Sequence, residues 1–205
     1  MTIRLHRGDL PDLSRYRGGA VAIDTETMGL DPHRDRLCVV QLSPGDGSAD
    51  VVQIPAGATQ AANLMQLLAD PAILKIFHFA RFDLGILQQT FDVMAFPVYC
   101  TKIASRLART YTDRHGLKDL TRELLGIEMS KQQQSSDWGA DDLTDAQASY
   151  AASDVLHLHA LKAKLDSMLL REGRTELAEA CFRFLPDRVR LDLAGWAPED
   201  IFAHS

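Results

Sequence analysis

The sequence predicts an α/β fold: a mixed sheet, antiparallel at one edge, with helices on both faces. Three observations predict it. Strand-like apolar stretches crowd the first 55 residues, a tight turn signal joins two of them, and helical and strand patterns alternate afterwards. One domain is expected over residues 1–205, because that length buries a sizeable core and 46% hydrophobic with 24% charged residues is an ordinary globular composition.

The first strand is "AVAIDTE", Ala20 to Glu26, whose branched side chains suit a pleated surface. "LCVVQLS" (Leu37 to Ser43) and "DVVQIP" (Asp50 to Pro55) follow as strands, and "PGDG" between them (Pro44 to Gly47) closes an antiparallel hairpin. A helical pattern from Ala58 to Leu68 stops at Asp70 and Pro71, since the residue before a proline is pushed out of the helical region. "ILKIFHF" (Ile73 to Phe79) reads as a buried strand and "ARFDLGILQQ" opens a helix. After "FPVYCT" the patterns are helical over Lys102 to Arg109, Leu117 to Leu125, Asp145 to Leu170 and Thr175 to Phe184. Ser130 to Asp142 reads as a polar connection. Thr144 with Gln147 matches a capping box, which starts a helix running through Tyr150 and Asp154. Ala148, Ala151 and Ala152 on that helix are small, as close packing against a sheet requires.

Charge and composition exclude several classes. The net charge of −6, from 22 Lys plus Arg against 28 Asp plus Glu, argues against coating long nucleic acid through a general field. A nucleic-acid substrate has to be held by a local site, with metal ions reversing the local sign. No apolar run approaches the roughly 20 residues that cross a bilayer, and "MTIRLHRGDL" lacks the apolar region of a signal peptide, so no membrane partner and a cytoplasmic location are expected. Cys38, Cys100 and Cys181 are odd in number and far apart, which fits free thiols.

Acidic residues interrupt core-like sequence in three places. Asp24 and Glu26 end the first strand, where positions i and i+2 share a face. Asp83 follows a buried strand near the start of a helix, and Asp154 lies four residues after Tyr150, so the phenol and the carboxylate share a helical face. Singly, each is an ordinary strand end, helix cap or surface pair. Gathered in one pocket they would repel by about 4 kcal/mol per pair at ~4 Å and an effective dielectric near 20. Oxygen ligands without His or Cys select Mg²⁺ or Mn²⁺, and two such ions roughly 4 Å apart form the clamp used on phosphodiesters.

In order and spacing these residues resemble the DEDD exonucleases, with Asp24 and Glu26 as motif one, Asp83 as motif two, and Tyr150 with Asp154 as motif three of the tyrosine branch. "SSDWGADDLTDAQASYAASDVLHL" is similar to a segment of RNase D-like enzymes, and the length and tail resemble the short nanoRNase C branch. The resemblance implies an RNase H-like (DnaQ-like exonuclease) fold. It implies two divalent cations, Mg²⁺ or Mn²⁺, held by Asp24, Glu26, Asp83 and Asp154, with Tyr150 orienting the attacking water or taking its proton. It further implies 3′-to-5′ exoribonuclease action on very short RNA, dinucleotides especially, and a homo-oligomer, an octamer. Leu30 matches a position where related exonucleases wedge between terminal bases, while His78 and Lys131 are candidate contacts to substrate phosphates. Two departures stand out. Gly139, Ala140, Asp141 and Asp142 replace the Arg-Pro that family members often carry after Ser-Asp-Trp, and no C-terminal RNA-binding domain is expected after Ser205. The motifs leave open a general exonuclease on longer RNA, including tRNA 3′ trimming, or on DNA, and a catalytically silent nucleic-acid-binding protein.

Overall fold

All seven side chains of Leu37–Ser43 are buried, so this strand has to lie inside a sheet that is covered on both faces. The computed structural model, which describes residues 2–130, 132–133 and 135–204, places it there. Six strands, β1 (Thr2–Arg7), β2 (Ala20–Thr27), β3 (Leu37–Ser43), β4 (Ser48–Gln53), β5 (Leu74–Phe77) and β6 (Val98–Cys100), form one sheet in the order β1-β4-β3-β2-β5-β6. β2 pairs antiparallel with β3 and parallel with β5, and β3 with β4 makes the expected hairpin. The helices are α1 (Ala62–Ala69), α2 (Ala80–Phe91), α3 (Thr101–Ala108), α4 (Leu117–Leu125), α5 (Asp145–Leu156), α6 (Leu158–Arg171) and α7 (Thr175–Leu191). α5 lies against β2, β3 and β4, where buried Ala148, Ala151 and Ala152 permit close approach.

Register positions the carboxylates. Pairing between β2 and β5 ends at Ala22 opposite Ile76, so Asp24 and Glu26 project beyond the β5 ladder at the carboxyl ends of the parallel strands. This is where open α/β sheets leave a crevice. The chain leaves β5 and turns directly into α2, which brings Asp83 to the same end.

Several boundaries depart from the sequence expectation. β1 escapes the strand pattern because it is an edge strand, half exposed and carrying Arg4, His6 and Arg7, and β6 has only three residues. α1 begins at Ala62 rather than Ala58 because its amide groups are capped from a distance: Asn63 N–H and Leu64 N–H donate to the Asp9 carboxylate at 2.7 and 2.9 Å. The long helix expected from Asp145 to Leu170 breaks at His157 into α5 and α6. α7 continues past Phe184 to Leu191, with Pro186 accommodated and buried inside it. Among the described residues no helix is long and apolar enough to cross a membrane.

One buried cation braces the sheet. The Lys75 ammonium, 0% exposed, donates to the carbonyls of Asp70 (2.5 Å) and Phe96 (2.8 Å), tying the end of α1 to the segment before β6. Burial pushes its pKa down from 10.5 to about 8, against an opposing pull from Asp70. The folded state therefore releases this proton before the unfolded state does, and the stability owed to Lys75 rises with pH between about 8 and 10.5. Lys75→Met is expected to flatten that rise in urea unfolding compared at about pH 8 and about pH 10. Equal rises in both proteins would contradict this account.

Candidate active site

β2 presents two acids from its end, α2 contributes one from its first turn, and α5 contributes Tyr150 and Asp154 one helical turn apart. The fold brings them together. Carboxylate oxygens of Asp24, Glu26 and Asp154 lie within 4.8 Å of one another. Asp83 is 2% exposed, accepts a hydrogen bond from Thr25 Oγ1 at 2.7 Å, and acts electrostatically on both Asp24 and Glu26. Across the ladder from Asp24, the fully buried Gln41 of β3 donates Nε2–H to Asp24 Oδ2 at 2.7 Å. The α5 capping box is formed as expected, with Gln147 N–H donating to Thr144 Oγ1 at 3.2 Å.

The electrostatics of this cluster are unfavourable as it stands. Burial, followed by the charges of Asp83, Asp154 and Glu26, pushes Asp24 well above the usual carboxylate range. Glu26 rises to about 8 through burial and then Asp154 and Asp83. Asp83 and Asp154 each rise to about 7, chiefly through burial, opposed by the Thr25 and Tyr150 hydroxyls respectively. Among the described residues no Lys, Arg or His forms an ion pair with any of the four. Hard oxygen donors, a shared excess of negative charge and the absence of a protein cation fit Mg²⁺ or Mn²⁺.

A cleft of about 310 Å³ opens onto Asp24, Tyr150 and Asp154, and His78, Phe79, Lys102 and Lys118 also line it. Tyr150 packs against buried Trp138, with ring centroids 6.0 Å apart. Burial, then Asp154, Glu26 and Asp24, raise the phenol above its ordinary value, so Tyr150 keeps its proton near neutral pH.

His78 sits 2.9 Å through Nδ1 from Thr101 Oγ1, and the Thr101 hydroxyl already donates to the Phe77 carbonyl at 3.1 Å. Nδ1 therefore carries the proton and Nε2 is left as an acceptor. Burial, with Lys102 nearby, lowers the His78 pKa to about 3, so the ring is neutral near pH 7. The residue expected to contact a substrate phosphate thus lines the cleft as a neutral ring. Leu30 is 83% exposed in the turn after β2, apart from the residues that line the cleft. Lys131 lies outside the described residues.

Sequence reasoning missed Thr25, Gln41, Phe79 and Lys102. Gln41 had a signal, as the lone amide in the apolar run "LCVVQLS"; the lysine reads only as the solvated side of an amphipathic helix. A roomier apolar groove of about 510 Å³, between β6, α6 and α7, contains none of the acidic cluster.

Comparison with known proteins agrees with this geometry. A family profile described as 3′-5′ exonuclease matches residues 12–170, and the chain belongs to that family. Within it, the chain is similar over the full length of both proteins to NrnC of Brucella melitensis. Identity is 64% with a TM-score of 0.97 to the structure with bound Mg²⁺, and 65% with a TM-score of 0.98 to the structure bound to pGG. Escherichia coli RNase D shares the fold with a TM-score of 0.80 at 26% identity, over 92% of this chain and 51% of that one. Ribonuclease D of Granulibacter bethesdensis is 38% identical over 154 residues, which are 75% of this chain and 38% of that protein. The chain spans about two-fifths of the length of the curated relatives it matches. The RNase H-like, DnaQ-like architecture expected from the motif order is the observed one.

The raised carboxyls set a pH test. A group whose folded pKa lies above its unfolded value contributes stability below the unfolded pKa and loses it as pH rises through the folded one. Protein stripped of metal is therefore expected to lose Tm as pH climbs from near the ordinary carboxyl values of 3.8 and 4.5 through about 7 to 8. Mg²⁺ or Mn²⁺ is expected to raise Tm more at about pH 8 than at about pH 6, because binding no longer has to displace protons. A metal-induced shift that shrinks with rising pH would contradict the cluster as a cation site.

Proposed function

We propose that this protein is a 3′-to-5′ exoribonuclease dependent on two divalent cations, releasing nucleoside 5′-monophosphates from very short RNA, dinucleotides above all. The observation that carries the reading is the convergence of Asp24, Glu26 and Asp154 within 4.8 Å, with Asp83 acting on the first two, beside a small cleft lined by Asp24, Tyr150 and Asp154. NrnC of Brucella melitensis, similar over its whole length, is known with bound Mg²⁺ and bound to pGG, which supports the metal and the short substrate.

In this reading Asp24, Glu26, Asp83 and Asp154 hold the cations, which supply a more acidic water and stabilise charge on the leaving 3′ oxygen. The rest falls to the chain itself. Gln41 and Thr25 fix the rotamers of Asp24 and Asp83 through hydrogen bonds of 2.7 Å each. Tyr150, held between Trp138 and Asp154, orients the attacking water through its hydroxyl and accepts its proton only once the surrounding negative charge is neutralised. His78 offers Nε2 to a substrate hydroxyl, and Leu30 and Lys131 are further proposed contacts to the substrate. A cleft of about 310 Å³ reads the end of a chain, and the net charge of −6 gives little attraction for a long polyanion. A cytoplasmic location and a homo-oligomer, with the octamer implied by resemblance alone, complete the proposal.

The test is a time course with Mg²⁺ or Mn²⁺ on 5′-labelled RNAs of about two, seven and twenty nucleotides. The account expects fast loss of the dinucleotide and slow trimming of the others. Trimming of the longest RNA at an equal or greater rate would favour a general exonuclease of the kind named ribonuclease D. Asp24→Ala and Asp154→Asn are each expected to lower kcat by about a thousandfold or more while circular dichroism stays unchanged. Near-normal turnover in either variant would remove the assignment.

A further inference from the structure

Phe79 occupies an expensive position for a phenylalanine. It links β5 to α2 with φ 68° and ψ 44°, in the left-handed region. Glycine or asparagine adopts that conformation at far lower cost, and a bulky side chain there is a genuine outlier. Asp92 is the other non-glycine residue with positive φ among the described residues, and its short polar side chain tolerates the region. Core packing does not explain Phe79 either, since the residue is 45% exposed. Strained, solvent-facing residues of this kind gather where a protein meets its ligand.

Its surroundings say which kind of ligand. The ring lines the same cleft as Asp24, Tyr150 and Asp154. Lys102, also in that lining, holds its ammonium 4.3 Å from the ring centroid, a cation–π contact that fixes the ring on one side. The adjoining β5–α2 backbone is locked by Phe82 N–H donating to the Phe79 carbonyl at 3.1 Å. The result is a preset aromatic surface beside a cluster suited to a phosphodiester.

We infer that Phe79 is a stacking platform for a nucleobase of the bound substrate and so sets affinity for the substrate end. The inference rests on the proposed nuclease function. Stacking uses the π-face that every base possesses, so the platform contributes affinity without choosing among bases. Lys102, beside the ring, and Lys118 line the same cleft as the acids Asp24 and Asp154. Phe79 acts on binding, leaving bond cleavage to the carboxylates.

The test compares wild type with Phe79→Ala, Phe79→Asn and Phe79→Tyr on pGG and on the two dinucleotides that lack one base each. Asparagine suits the left-handed backbone, so Phe79→Asn separates the lost ring from a damaged fold, and thermal unfolding verifies it. Phe79→Ala and Phe79→Asn are expected to lower kcat/KM on pGG by about 10- to 100-fold, mainly through KM, whereas Phe79→Tyr restores it. On the dinucleotide lacking the stacked base the same substitutions are expected to have no effect, and that identifies the base. A dinucleotide carrying 2-aminopurine at that position is expected to be quenched on binding wild type but not Phe79→Asn. Equal kcat/KM for wild type and Phe79→Asn on pGG, or equal losses on all three dinucleotides, would overturn the platform. Wild type that quenches 2-aminopurine without cleaving it would overturn the nuclease reading and leave the platform standing.

Discussion

The constraint on which this structure depends is electrostatic: carboxylates from β2, α2 and α5 are drawn out of water to one place without a protein cation among them. Each is pushed toward its protonated form by burial. The fold opposes its own site until positive charge arrives from outside. The cluster therefore holds protons at low pH and exchanges them for divalent cations as its carboxyls ionise, which makes metal binding depend on pH.

Holding such a cluster requires a scaffold that cannot relax away from it. β2 is central, with a partner on each side, so Asp24 and Glu26 leave a strand whose register is fixed twice. α5 lies close to the sheet because its inner face is alanine, and its start is fixed by the Thr144 and Gln147 box. A second ring of contacts sets rotamers: Gln41 on Asp24, Thr25 on Asp83, Trp138 on Tyr150. Arg81 of α2, two residues before Asp83, and Arg188 of α7 both bind Asp192, joining the helix that carries Asp83 to the C-terminal segment.

The parts of this arrangement that were legible in the sequence obey local rules. The i, i+2 spacing of Asp24 and Glu26, the four-residue step from Tyr150 to Asp154 and the capping box are written in adjacent residues; the fold brings Asp24, Glu26 and Asp154 within 4.8 Å of one another and forms the box. The parts that were illegible depend on distant partners. Asp9 caps α1 from 54 residues away, and Thr25 finds Asp83 across 58. The break at His157 and the continuation of α7 through Pro186 are tertiary outcomes that override local propensity. The left-handed conformation of Phe79 is the hardest to foresee, because the residue type argues against it. The tautomer of His78 is illegible for a similar reason, since it is set by a threonine 23 residues onward.

The most direct test of the central claim is to count bound Mn²⁺ by electron paramagnetic resonance in wild type and in Asp154→Asn, recording proton release at about pH 7. The account predicts saturable binding of two ions per wild-type chain with release of protons, and weakened binding with fewer protons released in the variant. Absence of saturable binding in wild type, or identical titrations for both proteins, would show that these carboxylates converge for some purpose other than holding metal.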